Sequence, residues 1–420
     1  MRARPGGGAV DDGGGPGGAE RHEPPATWRA PARGGRRSCA VVDTTHRESP
    51  ATGGSPAPRE HGRRKVIGAG LGVLAAAAAG GGVYWATRGG DAPGPSTPAP
   101  PWTPPAHVPA SELDTKWVGV QTHDVAVAES FGAWLGRPLD VVVVFNSDAN
   151  WAALSGPWFA MAPPAGQDWG QWVRDDPDTR TLVVSTGLVP AGPPEDWRAR
   201  GAAGEYDAHW TTFAENLVSK GLGSSIVRLG WELNGDWYET HYIGSTEAQR
   251  EAWKAYFRRI VQIITAVEGA DFEIDFNIAE GQQDSVTIDE MYPGDDWVDI
   301  IGVDVYDSYI SPIDPTARWE EKDAKVNSLS AVIAFAAERD KPISIPEWAM
   351  VAAGDTQGGG DSPEFVNQIA DAVVGAEVRY QAYFNVPEGG VGMTLADAPR
   401  GRAAFLSRFG ASGDAGPVAG

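Results

Sequence analysis

The chain has 420 residues, 42% of them hydrophobic and 21% charged, a balance that excludes a coiled coil and a wholly disordered chain. Charge divides sharply along it: residues 1–110 carry 13 Lys/Arg against 8 Asp/Glu, whereas residues 111–420 carry 21 against 48. A main domain this acidic repels nucleic acid and anionic lipid headgroups, while a neutral polysaccharide tolerates it.

Residues 1–62 are rich in Gly, Pro, Arg and Ala and hold almost no large apolar side chains. Such a segment cannot bury enough surface to offset chain entropy and is expected to be disordered. So long an extension ahead of an export signal is odd, which leaves the true start codon open. The single cysteine, Cys39, falls in this segment. The folded part is therefore expected to have no disulfide and no cysteine-based zinc site.

Residues 63–88 begin with Arg63-Arg64-Lys65 and continue as an uncharged Ala/Gly-rich run over residues 66–85. That length is close to the ~20 residues a helix needs to span a bilayer. Two readings compete, a twin-arginine-like export signal and an uncleaved membrane anchor. Both place the main domain outside the cytoplasm, because the positive cluster stays inside. Residues 89–111 are Pro-rich and read as an extended, semi-rigid spacer.

From residue 112 to about 412, short β-branched runs alternate with helical patterns. The runs are Trp117–Thr122, Val141–Ser147, Thr181–Thr186, Ile226–Glu232, Phe272–Ala279, Asp299–Tyr306, Pro342–Glu347 and Tyr380–Val386. They are nearly continuous in apolar residues, as strands covered on both faces should be. The clearest helical patterns cover Tyr206–Ser219, Thr246–Val267, Ala324–Arg339 and Pro363–Val374. Ser245-Thr246-Glu247 and Asp361-Ser362-Pro363-Glu364 offer N-caps for two of them. Eight alternations predict an α/β fold, the (β/α)8 TIM barrel. An open doubly wound sheet would show a Gly-rich phosphate loop after the first strand, and Val-Gly-Val-Gln-Thr-His-Asp stands there instead.

Glu232 ends the fourth run and Glu347 the seventh. In such a barrel every strand's C-terminal end opens on one shared face, so the two carboxyl groups are expected to oppose one another there. Paired carboxyl groups cleave glycosidic bonds, and a separation of about 5–5.5 Å belongs to the retaining reaction. Arg228, four residues before Glu232, is expected on the same side of the strand, where its charge favours a neighbouring carboxylate. Tyr306 at the end of the sixth run can donate to a carboxylate, and Asp304 lies two residues before it. Asn234, two residues after Glu232, reads equally as a partner for a sugar hydroxyl and as a turn residue before Gly235, while Asn277, Asn385 and His123 end or follow other strand runs and are weaker candidates. Of the 14 tryptophans beyond residue 110, Trp231, Trp237 and Trp348 flank the glutamates and offer flat faces to a pyranose. Trp134, Trp210 and Trp253 fall in helical patterns and read as core. Seven scattered histidines without metal-ligand spacing predict no metal, and nothing in the chain calls for a cofactor. Nothing in the sequence fixes the oligomeric state.

These segments resemble glycoside hydrolase family 26, a clan A family of retaining barrel enzymes acting mainly on β-mannans. That family's fourth strand reads Arg-Pro-x-His-Glu-x-Asn-Gly-x-Trp, and here it is Arg228-Leu-Gly-Trp231-Glu232-Leu-Asn234-Gly235-Asp-Trp237. The pattern Tyr-Pro-Gly-Asp…Val-Asp-Ile-x-Gly-x-Asp-x-Tyr is similar to Tyr292-Pro-Gly-Asp295…Val298-Asp-Ile-Ile-Gly302-Val-Asp304-Val-Tyr306. Glu347-Trp348 matches the seventh-strand glutamate and its follower. The resemblance implies that Glu232 is the acid/base, Glu347 the nucleophile, and Tyr306 the residue positioning Glu347. Trp231 departs from it, standing where the family usually has a histidine beside the reacting sugar. Residues alone leave two other readings, a carbohydrate-binding barrel without turnover and a glycosidase trimming the cell's own exopolysaccharide.

Overall fold

Strands β1 (Val118–Gln121), β2 (Val141–Phe145), β3 (Thr181–Thr186), β4 (Ile226–Leu229), β5 (Glu273–Ala279), β6 (Ile300–Tyr306), β7 (Ile343–Ala349) and β8 (Val378–Phe384) follow the apolar runs. They pair in parallel in chain order, and β8 closes onto β1. The result is the expected (β/α)8 barrel. The structure is a computed structural model that describes residues 117–281, 286–311, 314–354, 357–385 and 392–411. The segments read from 1–62, 63–88 and 89–111, Cys39, and the Val386 end of the eighth run lie outside the described residues.

Each strand is followed by a helix: α1 (Val125–Leu135), α2 (Trp169–Asp175), α3 (Asp207–Ser219), α4 (Glu247–Thr265), α5 (Ile288–Met291), α6 (Leu329–Ala337), α7 (Pro363–Gly375) and α8 (Pro399–Phe409). Short helices Trp151–Ser155 and Trp158–Met161 add to the β2–β3 crossover. Among the described residues no helix is long and apolar enough to cross a membrane. Local signals set several boundaries. Thr246 caps α4 in a capping box with Gln249, and Ser362 caps α7 with Pro363 in the first turn. The helix expected over Ala324–Arg339 starts only at Leu329. Asn327 takes φ 58° and spends its amide on Ile288 N–H and Val286 O, both 2.9 Å away, and Ser328 caps the helix that follows.

The main core lies between barrel and helices. Trp210 and Trp253 are fully buried there and Trp134 packs against it from the rim. Inside the barrel a second cluster joins Val141, Val143, Val183, Ile226, Ile300, Tyr380 and Ala382. Each such aliphatic side chain contributes roughly 1.5–3 kcal/mol by leaving water. Below the C-terminal ends of the strands, buried Asp275 accepts from Ser344 Oγ at 2.8 Å and Tyr380 Oη at 2.5 Å. Gly302 makes room for that cluster. A Cβ there would stand 2.6 Å from Asp275 Oδ1 and 2.7 Å from Ser344 Oγ.

Candidate active site

At the C-terminal end of the barrel, Arg228 rises from β4 and is completely buried. Its guanidinium donates to Glu347 Oε1 at 2.6 Å, Asn277 Oδ1 at 2.8 Å and Ser185 Oγ at 3.2 Å, and it also grips Asp304. Four strands therefore meet on one cation. Buried carboxylates need such a partner, since an unpaired charge away from water is costly.

Glu347 reaches this cation through an irregularity in β7. Ser344 points inward, where it bonds Asp275, so simple alternation would turn Trp348 inward and Glu347 outward. The register shows why the reverse holds. Between Gly302↔Ser344 and Val305↔Trp348, β7 advances one residue more than β6. Between Ile345↔Gln381 and Trp348↔Tyr383 it also advances one more than β8. The extra residue falls in the stretch containing Pro346, which has no N–H for a ladder and suits a bulge. The bulge turns Glu347 into the mouth, where Tyr306 Oη donates to Oε2 at 2.7 Å. Burial and the nearby carboxylates push the Tyr306 phenol well up, so it remains a donor.

The same bulge corrects the expectation for Trp348. It is fully buried on the helix side, stacked 5.6 Å from Phe405 and edge-on to Tyr383, with its indole N–H on Gln381 Oε1 at 2.6 Å. It has no face to offer a sugar.

Glu232 arrives differently. The fourth run was expected to stay extended to Glu232, but β4 ends at Leu229. Gly230 takes φ 67° and Glu232 itself φ 46°, a conformation that costs a non-glycine residue about 1–3 kcal/mol and clusters at functional sites. Its N–H donates to Asn277 Oδ1 at 2.8 Å, which fixes the turn. Burial, then the Glu347 charge, push the Glu232 carboxyl up to about 8. The Arg228 charge and hydrogen bonding from Tyr238 and Trp237 act the other way. Gly235 permits that arrangement, because a Cβ there would lie 2.5 Å from the folded-back Trp237 ring.

The remaining expected contacts separate into rim and support. Trp231 (nearly buried) and Trp237 stand beside Glu232, with Trp231 edge-on to Phe145 at 5.2 Å. His123 sits at the rim between Phe145 and Trp158 and accepts the Phe145 N–H on Nε2 at 3.2 Å. Burial pulls its pKa down to about 4, so it is a neutral ring. Asp304 and Asn277, expected to touch substrate, are covered. Asn277 Nδ2 donates to Asp304 at 3.1 Å and both brace Arg228 from beneath. Asn234 is likewise engaged, its amide bonded to the Ala279 N–H and O at 2.8 and 2.9 Å, which ties the β4 loop to β5. Asn385 accepts the Leu395 N–H at 2.9 Å. Sequence reading missed Tyr238 and His241, which lie in a loop without periodicity, and Trp158, which opens a four-residue helix too short to show one. No group of side chains suited to a metal occurs among the described residues. The mouth thus pairs one carboxyl that holds its proton with one carboxylate faced by a cation and a phenol.

The Glycosyl hydrolase family 26 model matches residues 212–350, the stretch that carries Arg228, both glutamates and Tyr306. Over that stretch the chain is similar to glycosyl hydrolase family 26. The chain is 30% identical over 247 residues to a mannan endo-1,4-beta-mannosidase of Bifidobacterium adolescentis, covering 56% of the chain and 22% of that relative. It therefore spans less than a quarter of the relative's length. A modular endo-beta-1,4-mannanase from Cellulomonas fimi superposes with TM-score 0.50 at 16% identity, over 70% of each chain. The double mutant of a C. fimi endo-beta-1,4-mannanase gives TM-score 0.51 at 16% identity, over 70% of this chain and 71% of that one. At that identity the likeness is one of fold.

Proposed function

We propose that the chain is a retaining β-glycan hydrolase acting on β-mannan. Glu347 attacks the anomeric carbon while Glu232 gives its proton to the departing glycosidic oxygen, forming a glycosyl ester on Glu347. Glu232, now a carboxylate, takes a proton from water. The water oxygen displaces Glu347 and restores both groups. The observation that carries this reading is the contrast in one mouth: Arg228 and Tyr306 converge on Glu347, and the neighbouring Glu232 is pushed up to about 8. A proton donor must hold its proton near neutral pH, and a nucleophile must present an anion. The mannosidase relative supports mannan as the polymer. We further place the domain outside the cytoplasm, exported or anchored through residues 66–85, because an Arg-Arg-Lys cluster, an apolar run and a Pro-rich spacer precede it. Recovery of the protein from the cytosolic fraction alone would refute that placement.

The test is digestion of mannan, glucan and xylan with product anomers read by NMR. Mannan should be cut with retention of configuration. Glu347→Ala should be inactive, and azide should restore turnover by forming an α-glycosyl azide. Hydrolysis that survives Glu347→Ala removes Glu347 as nucleophile.

A further inference from the structure

A helix of a globular domain ordinarily buries an apolar stripe. The helix Pro315–Asp323, which follows β6, buries two cations instead, Arg318 and Lys322. They stand four residues apart, one above the other on a single face. Arg318 holds the loop after β6. Its guanidinium donates to Asp307 Oδ1 at 2.7 and 3.1 Å, to Ile310 O at 2.8 Å and to Gln357 O at 3.0 Å. Lys322 reaches the strand itself. Its Nζ donates to Tyr306 O at 2.6 Å and pairs with the buried Glu280 carboxylate.

The place of that ammonium follows from where β5 stops. β5 ends at Ala279, and the next N–H, that of Glu280, bonds Asp304 O on β6 at 3.0 Å. Carbonyls two residues apart in a strand face the same side. Tyr306 O therefore faces the β5 side one rung beyond that bond, and Lys322 Nζ supplies the donor there. The residue that closes the ladder, Glu280, accepts the same ammonium on one carboxylate oxygen and the Leu329 N–H on the other at 3.1 Å, which ties the pair to the start of α6. Ser308 N–H also bonds Tyr306 O, at 2.9 Å, and on the β7 side Asp307 N–H bonds Ala349 O at 3.2 Å. The end of β6 is thus held from both sides, and from it the Tyr306 hydroxyl donates to Glu347 Oε2 at 2.7 Å.

We propose that Lys322 is a positioning residue for the nucleophile: by adding a rung to β6 past the end of β5, it sets the height at which the Tyr306 hydroxyl meets Glu347. The inference rests on reading Glu347 as the nucleophile. Lys322 acts through the Tyr306 carbonyl alone.

Lys322→Met by itself strands the Glu280 carboxylate, a change that can unfold the domain. The experiment is therefore run in Glu280→Gln protein, where the amide oxygen still accepts from Nζ. Glu280→Gln should lower the melting temperature yet keep kcat on mannan within about twofold, because the bond to Tyr306 O survives. Adding Lys322→Met should lower kcat roughly 10-fold and leave KM within about twofold, given that a full 1 Å misplacement costs on the order of 100-fold. Repeated on Tyr306→Phe, the same Lys322→Met step should change kcat less than about twofold, because the hydroxyl it places is gone. In crystals of Glu280→Gln/Lys322→Met, Tyr306 Oη should stand beyond about 3.5 Å from Glu347. Equal losses of kcat in both backgrounds, or a contact kept at 2.7 Å, overturn the proposal. Glu347→Ala, run alongside, checks the reading beneath it. If that variant still hydrolyses mannan, the nucleophile assignment falls, while the crystals still decide whether Lys322 sets the Tyr306 hydroxyl.

Discussion

The ends of β4 and β7 present the same residue type in opposite settings. Glu347 stays within its strand, turned inward by one extra residue, and meets a guanidinium and a phenol at 2.6 and 2.7 Å. Glu232 leaves its strand, sits at φ 46° among Trp231, Trp237 and Tyr238, and is pushed up to about 8. Identical carboxyl groups are thus given different tasks by charge and water access rather than by their own chemistry. Exchanging or deleting those neighbours should blur the distinction.

The largest effect is expected at the cation. Arg228→Met leaves the Asp304 and Glu347 carboxylates buried without a counter-charge, and should destabilise the domain by about 3–5 kcal/mol in urea unfolding. Unchanged stability would mean that the cation is not what distinguishes the two ends. Next comes the pH dependence of Glu232. Its folded pKa of about 8 lies above the ordinary carboxyl value, so its contribution to stability is complete below about pH 4.5 and is lost as pH rises through 8. Glu232→Gln removes that loss. Its melting temperature should match the parent at pH 4 and exceed it by the equivalent of roughly 2–4 kcal/mol at pH 9. A constant offset across the range would place Glu232 in ordinary surroundings. The smallest effect is expected from Tyr306→Phe, which removes one donor from Glu347. It should reduce kcat/KM by the equivalent of about 1.5–3 kcal/mol with unchanged melting, since Arg228 still holds the carboxylate.

The barrel was legible in the chain because parallel strands covered on both faces read as unbroken apolar runs, and eight of them left few alternatives. Both glutamates were legible for the same reason, as charged residues closing such runs. The facing of side chains past the regular ladder was not. Trp348 was expected to offer a ring to the sugar because it follows Glu347, yet the bulge that hides it exists only in the register against β6 and β8. Pro346 was the available signal, since proline rarely sits in a central strand. Gly230 similarly marked the point where β4 gives way to a turn, and Tyr238 lay beyond it in a loop with no period to read. Asp304 and Asn277 were placed on the correct face but one layer too high. Depth inside a barrel depends on strand stagger, which no single strand encodes.

Gly302 has a practical consequence for reshaping this barrel by directed evolution. Even alanine at that position would wedge apart the Asp275–Ser344 plug, and with it the foundation under Arg228. Randomisation is therefore best confined to the overhanging loops near Trp158, Trp237 and His123, where new walls can be tried without undermining the machinery below.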